Sequence, residues 1–347
     1  MNTNISRRNF LAGSAFALAG LGLAGCSGSG SGSDVYGELT NLDLVLKDEG
    51  KIDAIGFVEE DYGIVYNKAL LTKAGYSASD ITSFAALKKV ADDIQARKDE
   101  LGVKGAFVSS GLDSSSSWRF TNHLANMPLW FEFQDDNVTN PDTIKGTYLP
   151  NYKDIFDLYT TDSTVDKSQL SAKTSNDAVA EFVGGEAVFY QTGSWDYKNI
   201  KALGDDNLGL LPIYIGVGDE AKQGICAGTE NYWAVNADAA EEDQKATLDF
   251  LKWVVTSDEG TAALADDMGF NCPFKSAKEP SNPIYAQAKE ITASGKSPVG
   301  WAFSVQPNQE YRDDLASALT SYASGGSWDE VKTAFVDNWA TEKASNK

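Results

Sequence analysis

The run Ala187–Thr192 is apolar and rich in β-formers, which predicts a buried strand that Gly193 breaks. Ser194 is then placed to cap a helix whose first turn holds Trp195, Asp196 and Tyr197. Tyr62–Leu71 repeats the pattern, with β-formers up to Tyr66 and a helix-like start at Asn67. Ile81–Leu101 is the clearest helix. Thr82 or Ser83 can cap it, Phe84, Leu87, Val90, Ala91 and Ile94 form one apolar stripe, and Gly102 ends it. Gly105–Ser109 and Leu208–Pro212 are short strands, and Asp113–Ser117 is a polar turn. Trp118–Phe133 reads as a helix up to Pro128, with Arg119 and His123 paired at i, i+4. Further helices are expected at Tyr152–Tyr159, Ser175–Phe182, Asp238–Thr256, Ser257–Met268, Pro280–Ser294, Asn308–Ser324 and Trp328–Lys343. Asp34–Gly56 is weakly patterned. Strands alternating with helices give an α/β fold.

The first residues read as a leader rather than as part of the fold. Arg7 and Arg8 precede an apolar run from Phe10 to Ala24, the pattern of a twin-arginine export signal over residues 1–25. Leu23-Ala24-Gly25-Cys26 resembles a bacterial lipobox, which makes Cys26 the lipidated first residue of the mature chain. An uncleaved anchor and an ordinary secretory signal are the other readings of this end. Residues 26–33 then form a Gly/Ser tether from the membrane. The chain carries 50 Asp and Glu against 29 Lys and Arg, a formal charge of −21 that deepens when Arg7 and Arg8 leave. That balance argues against nucleic acid and against anionic lipid surfaces as electrostatic partners.

With Cys26 assigned to lipid, Cys226 and Cys272 remain an even pair in an oxidising compartment, so a disulfide is expected, worth about 4 kcal/mol on the chain-entropy model. Two buried free thiols are the alternative. With one histidine and no CxxC or HExxH spacing, no metal site is expected. His123 is more simply a hydrogen-bonded helix residue than a catalytic one.

The aromatic and planar polar residues carry the candidate chemistry. Trp195 follows a strand's carboxyl end, the place where open α/β sheets bind ligands, and its indole face beside polar groups suits a sugar. Its other reading is a cap on the edge of a core. Gly224–Asn236 places Glu230 and Asn231 beside Tyr232 and Trp233, and Trp301–Phe303 lies between two helices.

The strings YGIVYNKALLTKAGY, EFVGGEAVFYQTGSWDY, GTENYWAVN, KATLDFLKWVVTSDEG and GFNCPF resemble, in order, those of extracellular solute-binding proteins of carbohydrate ABC transporters, the maltose-binding-like type. The resemblance covers Val35 to the end. It implies a type II periplasmic-binding-protein-like fold, two α/β lobes that close on a sugar and present it to a permease, with no reaction and no cofactor. Chain crossings are implied near Tyr66–Asn67, Cys226–Gly228 and Phe274–Ser276. The first lobe would comprise residues 34–66 and 226–275, the second residues 67–225 and 276–347. Carried over by motif, the ligand set is Asp113, Trp118, Arg119, Trp195, Trp301 and Tyr311, with Glu230, Asn231 and Trp233 from the first lobe. In one respect the chain departs from the family. Only Ser27–Asn67 separates lipobox and YNK segment, so the first lobe is reduced, and exposed apolar surface is expected on it.

Three functions compete on this reading. The first is a lipid-anchored sugar receptor for an ABC importer on the extracytoplasmic face. The second is a non-transporting or binding-impaired remnant of one. The third is a surface glycoside hydrolase, which needs two carboxylates across a bond; no residue pattern marks such a pair.

Overall fold

The computed structural model describes residues 35–42, 44–48 and 51–345. The expected leader, Cys26 and the tether lie outside the described residues. Among those described, no helix is long and apolar enough to cross a membrane. The described residues divide into two compact units, one within residues 35–60 and 228–282 and the other residues 61–227 with 283–345.

The larger unit is built on a six-stranded sheet. Its strands are β3 (Glu60–Asn67), β4 (Gly105–Phe107), β5 (Ala187–Gly193), β6 (Leu208–Leu211), β7 (Gln223–Gly228) and β9 (Ser297–Val299). The order is β4-β5-β3-β7-β9, with β6 also on β3. β5 runs parallel to β4 and antiparallel to β3, Tyr62 facing Gly193 and Tyr66 facing Phe189. All seven residues of β5 are buried, because the sheet is covered on both faces. Ile64 and Tyr66 point into one core with Phe107 and Phe189, while Val65 points into the other with Tyr190 and Phe182. That alternation is the two-residue period of a strand.

The helices follow the apolar stripes, with ends set by side chains. Asn67 caps Lys68–Lys73 by accepting from Leu70 N, and Asn308 caps Gln309–Ala323 by accepting from Tyr311 N. Ser83 caps Phe84–Ala96, which buries Leu87, Val90, Ala91 and Ile94. The helix expected to run on to Leu101 breaks at Arg97, whose guanidinium binds Asp93 and the Ala74 carbonyl. The helix Ser175–Val183 is capped by Thr174, which forms a capping box with Asp177.

The smaller unit holds an antiparallel three-stranded sheet of β1 (Val45–Asp48), β2 (Lys51–Gly56) and β8 (Tyr232–Trp233), in the order β1-β2-β8. The weakly patterned segment before Gly56 thus contains a hairpin. The helices Glu241–Thr256 and Asp258–Ala262 accompany the sheet, and Val35, Leu39, Ile55, Val255, Leu264, Cys272 and Phe274 form the core.

The expected disulfide is not formed. Cys226 and Cys272 are both free and buried. Cys226 packs in the larger unit with its Sγ 3.4 Å from Met127 Sδ, and Cys272 packs in the smaller unit's core. Each thiol fills a different core, and burial pushes both up to about 12.

Candidate functional site

The larger unit gathers aromatic side chains around His123. Its ring centroid lies 4.3 Å from Tyr62, 4.7 Å from Phe303, 5.0 Å from Trp118, 5.4 Å from Trp301 and 5.5 Å from Trp195. The three tryptophans are partly exposed, whereas Tyr62, His123 and Phe303 are buried beneath them. Trp195 stacks on Tyr62 with 14° between planes, and Trp118 lies 5.9 Å from Trp195.

Backbone chemistry sets each ring. A Cβ on Gly193 would stand 2.1 Å from the Trp195 ring, so only glycine lets the indole fold back across the end of β5. Ser194 is not a helix cap, contrary to expectation. Its Oγ accepts from Asp61 N, and Ser194–Asp196 is a tight turn before the short helix Tyr197–Ile200.

Trp118 follows a turn wound around Asp113. The Asp113 carboxylate accepts from Ser115 N and Ser116 Oγ, while its carbonyl accepts from Ser116 N and Ser117 N. The indole Nε1 of Trp118 donates to Ser115 O at 3.1 Å. Gly111, at φ +116°, opens this loop, and a Cβ there would meet the Phe120 ring at 2.3 Å.

The segment after Trp118 is a π-helical turn, Arg119–Leu124, rather than α-helix, and the α-helix Asn126–Asp136 follows it. Its wider winding brings His123 under Trp118, five residues back. Asn126 fixes the third indole. Its Nδ2 donates to Gly300 O and its Oδ1 accepts from Phe303 N, while Gln306 Nε2 donates to Thr121 O, so the loop carrying Trp301 is clamped to this helical segment.

His123 is 2% exposed, and neither ring nitrogen has a hydrogen-bond partner. Burial lowers its pKa to about 3, the Arg119 charge adds to the drop, and the nearby Trp118 backbone opposes it, although no hydrogen bond of normal geometry joins the two. The expected Arg119–His123 pairing is therefore repulsive, and the expected hydrogen-bonded histidine is absent. Trp301 Nε1 and Gln191 Oε1 are also buried without partners. Gln191 Nε2 donates to Tyr62 Oη and to Arg119 O.

Other expected ligand residues are committed elsewhere. Arg119 is 3% exposed. Its fork donates to Gln191 O, Ser175 Oγ and Tyr190 Oη, lies 3.6 Å from Asp196, and its guanidinium sits 4.3 Å from the Trp118 centroid. Its donors are used inside the unit, so it positions Trp118 rather than reaching outward. Tyr311 is fully buried, donates to Phe335 O at 2.8 Å and packs on Trp339; it is a core residue. Among the described residues no carboxylate, histidine or cysteine group fit to hold a metal occurs.

In the smaller unit, Trp233 lies flat on Phe57, with centroids 4.4 Å apart and planes within 3°. One indole face is thus taken. Asn231 Nδ2 donates to Glu60 Oε2 and its carbonyl accepts from Phe57 N, which ties it to the segment after β2 in the same unit; Glu230 is exposed. Sequence reasoning missed Tyr62, Phe303 and Asn126. The first two stood in aromatic strings already noted, but nothing in the sequence marked Asn126 as a clamp.

Residues 30–293 match the model of the bacterial extracellular solute-binding protein family. Among curated proteins none matches. Similar solved structures include a chitin oligosaccharide binding protein (19% identity, 90% of this chain and 78% of that one, TM-score 0.68). A sugar transporter of Bacillus licheniformis in complex with stachyose is similar at 17% identity, over 89% and 79% of the chains, TM-score 0.70. The solute-binding protein RafE in complex with raffinose is similar at 13% identity, over 98% and 85%, TM-score 0.68. At these identities the likeness is one of fold. The family match spans most of the sequence, and the chain belongs to the bacterial extracellular solute-binding proteins.

Proposed function

We propose that this protein captures an oligosaccharide outside the cytoplasm and delivers it to an ABC importer, held to the membrane by a lipid on Cys26. The observation that carries the reading is the cluster of Trp118, Trp195 and Trp301, partly exposed and braced from below by Tyr62, His123 and Phe303. Pyranose rings present flat C–H faces, and indoles offer matching apolar planes. Support for the ligand class comes from the solved relatives, described as binding chitin oligosaccharide, raffinose and stachyose. Glu230 and Asn231 remain candidates for polar contacts from the smaller unit.

The protein acts by binding rather than by reaction. Two carboxylates beside the platform are engaged, Asp113 by its own turn and Asp196 by Thr192 Oγ1 and Asn199 Nδ2. A hydrolase would need a pair of them available across the bond. The second reading is a remnant that no longer binds, favoured by the three-stranded sheet of the smaller unit. Calorimetric titration of the mature protein with raffinose, stachyose and chitin oligosaccharides separates the readings. Saturable heat with the sugar recovered intact is expected. Released monosaccharide means a hydrolase, and no heat with any sugar from folded protein means the remnant.

A further inference from the structure

Among the described residues, the five large apolar side chains that stand exposed are Leu42, Leu46, Phe250, Trp253 and Met268, and all belong to the smaller unit. Leu46 lies on the edge strand β1, where a sheet short of neighbours leaves side chains uncovered. Phe250 and Trp253 need another account. They sit on the helix Glu241–Thr256, which already buries Leu248 and Val255 and packs Leu251 and Val254 against the core.

At 100° per residue, Phe250 and Trp253 fall on the side opposite that inner stripe. They are 58% and 46% exposed, and their rings stack on each other at 5.9 Å. Glu242, Asp243, Ala246 and Asp249 share this outer face and are all exposed. Of the helix's two lysines, Lys252 is turned to Glu38, while the exposed Lys245 pairs with Asp249 at the edge of this face. Residues 35–60 and 228–282 together carry 18 Asp and Glu against six Lys, so the acidity extends over the whole unit.

We propose that the outer face of the helix Glu241–Thr256 is a docking surface for a partner protein segment that presents Lys or Arg beside apolar side chains. Two stacked aromatics supply the buried centre that interfaces favour, and flanking carboxylates, of which Asp249 is already paired with Lys245, supply a mainly acidic polar rim. A basic side chain can also lie over an indole or phenyl face. The charge selects this occupant over two others. A second copy would bring like carboxylates together, and a phospholipid surface would set phosphates against them. The proposal stands apart from the sugar site, because none of its residues belongs to the aromatic platform.

The test uses the full mature chain and an 18-residue amphipathic helical peptide of Leu and Lys, with a Leu and Glu peptide as control. Binding is read by fluorescence anisotropy, for the wild type and for Phe250→Ser/Trp253→Ser. Support is one-to-one binding of the Leu/Lys peptide that weakens with added salt and falls about tenfold or more in the double variant, at an unchanged urea midpoint and unchanged sugar affinity. Equal binding by the variant overturns the proposal, leaving diffuse acidity only, and so does no binding by the wild type. Sedimentation showing a wild-type dimer that the variant loses assigns the face to a second copy. Co-flotation with phosphatidylcholine vesicles that the variant loses assigns it to lipid. Either outcome also overturns the proposal.

Discussion

Titration of His123 tests the interior of the platform directly, because it is the only histidine in the chain. Its pKa is near 3 when folded and near 6.5 when exposed. The folded state therefore holds fewer protons at intermediate pH. The contribution is fully present above pH 6.5 and is lost progressively as pH falls toward 3. Each unit of pH below 6.5 removes about 1.4 kcal/mol, so about 2 kcal/mol is gone at pH 5. Arg119 and Arg312 act in the same direction, since both repel an imidazolium there. Asp162 acts in the opposite sense, because burial and Asp92 raise its carboxyl to about 6 and stability rises as pH falls through that value. The comparison that isolates His123 is between the wild type and His123→Gln, each unfolded in urea at pH 7 and pH 5. The wild type should lose about 2 kcal/mol more than the variant over that interval. In untagged protein the imidazole C–H proton resonances should also stay unshifted from pH 8 to pH 4.5. An NMR midpoint near 6.5, or equal losses by both proteins, would show that the ring is solvated or partnered and refute the sealed platform.

Three further outcomes follow from side chains found committed elsewhere. Tyr311→Phe removes the bond to the Phe335 carbonyl, which should lower stability by about 1 kcal/mol in urea unfolding and leave sugar affinity unchanged. Arg119→Ala leaves Asp196 buried beside an empty space and should destabilise by about 3–5 kcal/mol, whereas a residue that only touched ligand would weaken binding at constant stability. Native protein should show no reactive thiol at Cys226 or Cys272, both should react after unfolding without reductant, and reductant should leave the thermal midpoint unmoved.

Local pattern carried the sequence reading where one element could be judged alone. The stripe of Leu87, Val90, Ala91 and Ile94 faces the core, and Asn67 and Asn308 cap the helices they precede. Trp118, Trp195 and Trp301 stand together although 183 residues separate the first from the last. What stayed hidden depends on partners distant in sequence. Arg119 looked available because its acceptors, Gln191 O, Ser175 Oγ and Tyr190 Oη, come from other elements. Tyr311 shared an aromatic-rich segment with Trp301, but its side chain turns inward to Trp339. Two cysteines in an oxidising compartment suggested a bridge, and only their placement in separate cores removes it. The π-helical turn under Trp118 leaves no periodic signal, since it is a single wider winding within an otherwise helical stretch.

The central claim is that a sugar ring lies against the exposed indoles, and Trp195 is the plainest place to ask. Calorimetric titration of raffinose or stachyose, whichever binds the wild type, should be repeated with Trp195→Ala at matched folded fraction. Loss of one stacked face should weaken binding by about 1–2 kcal/mol, which is roughly tenfold or more in Kd. An unchanged Kd would contradict the account and move the ligand away from the platform.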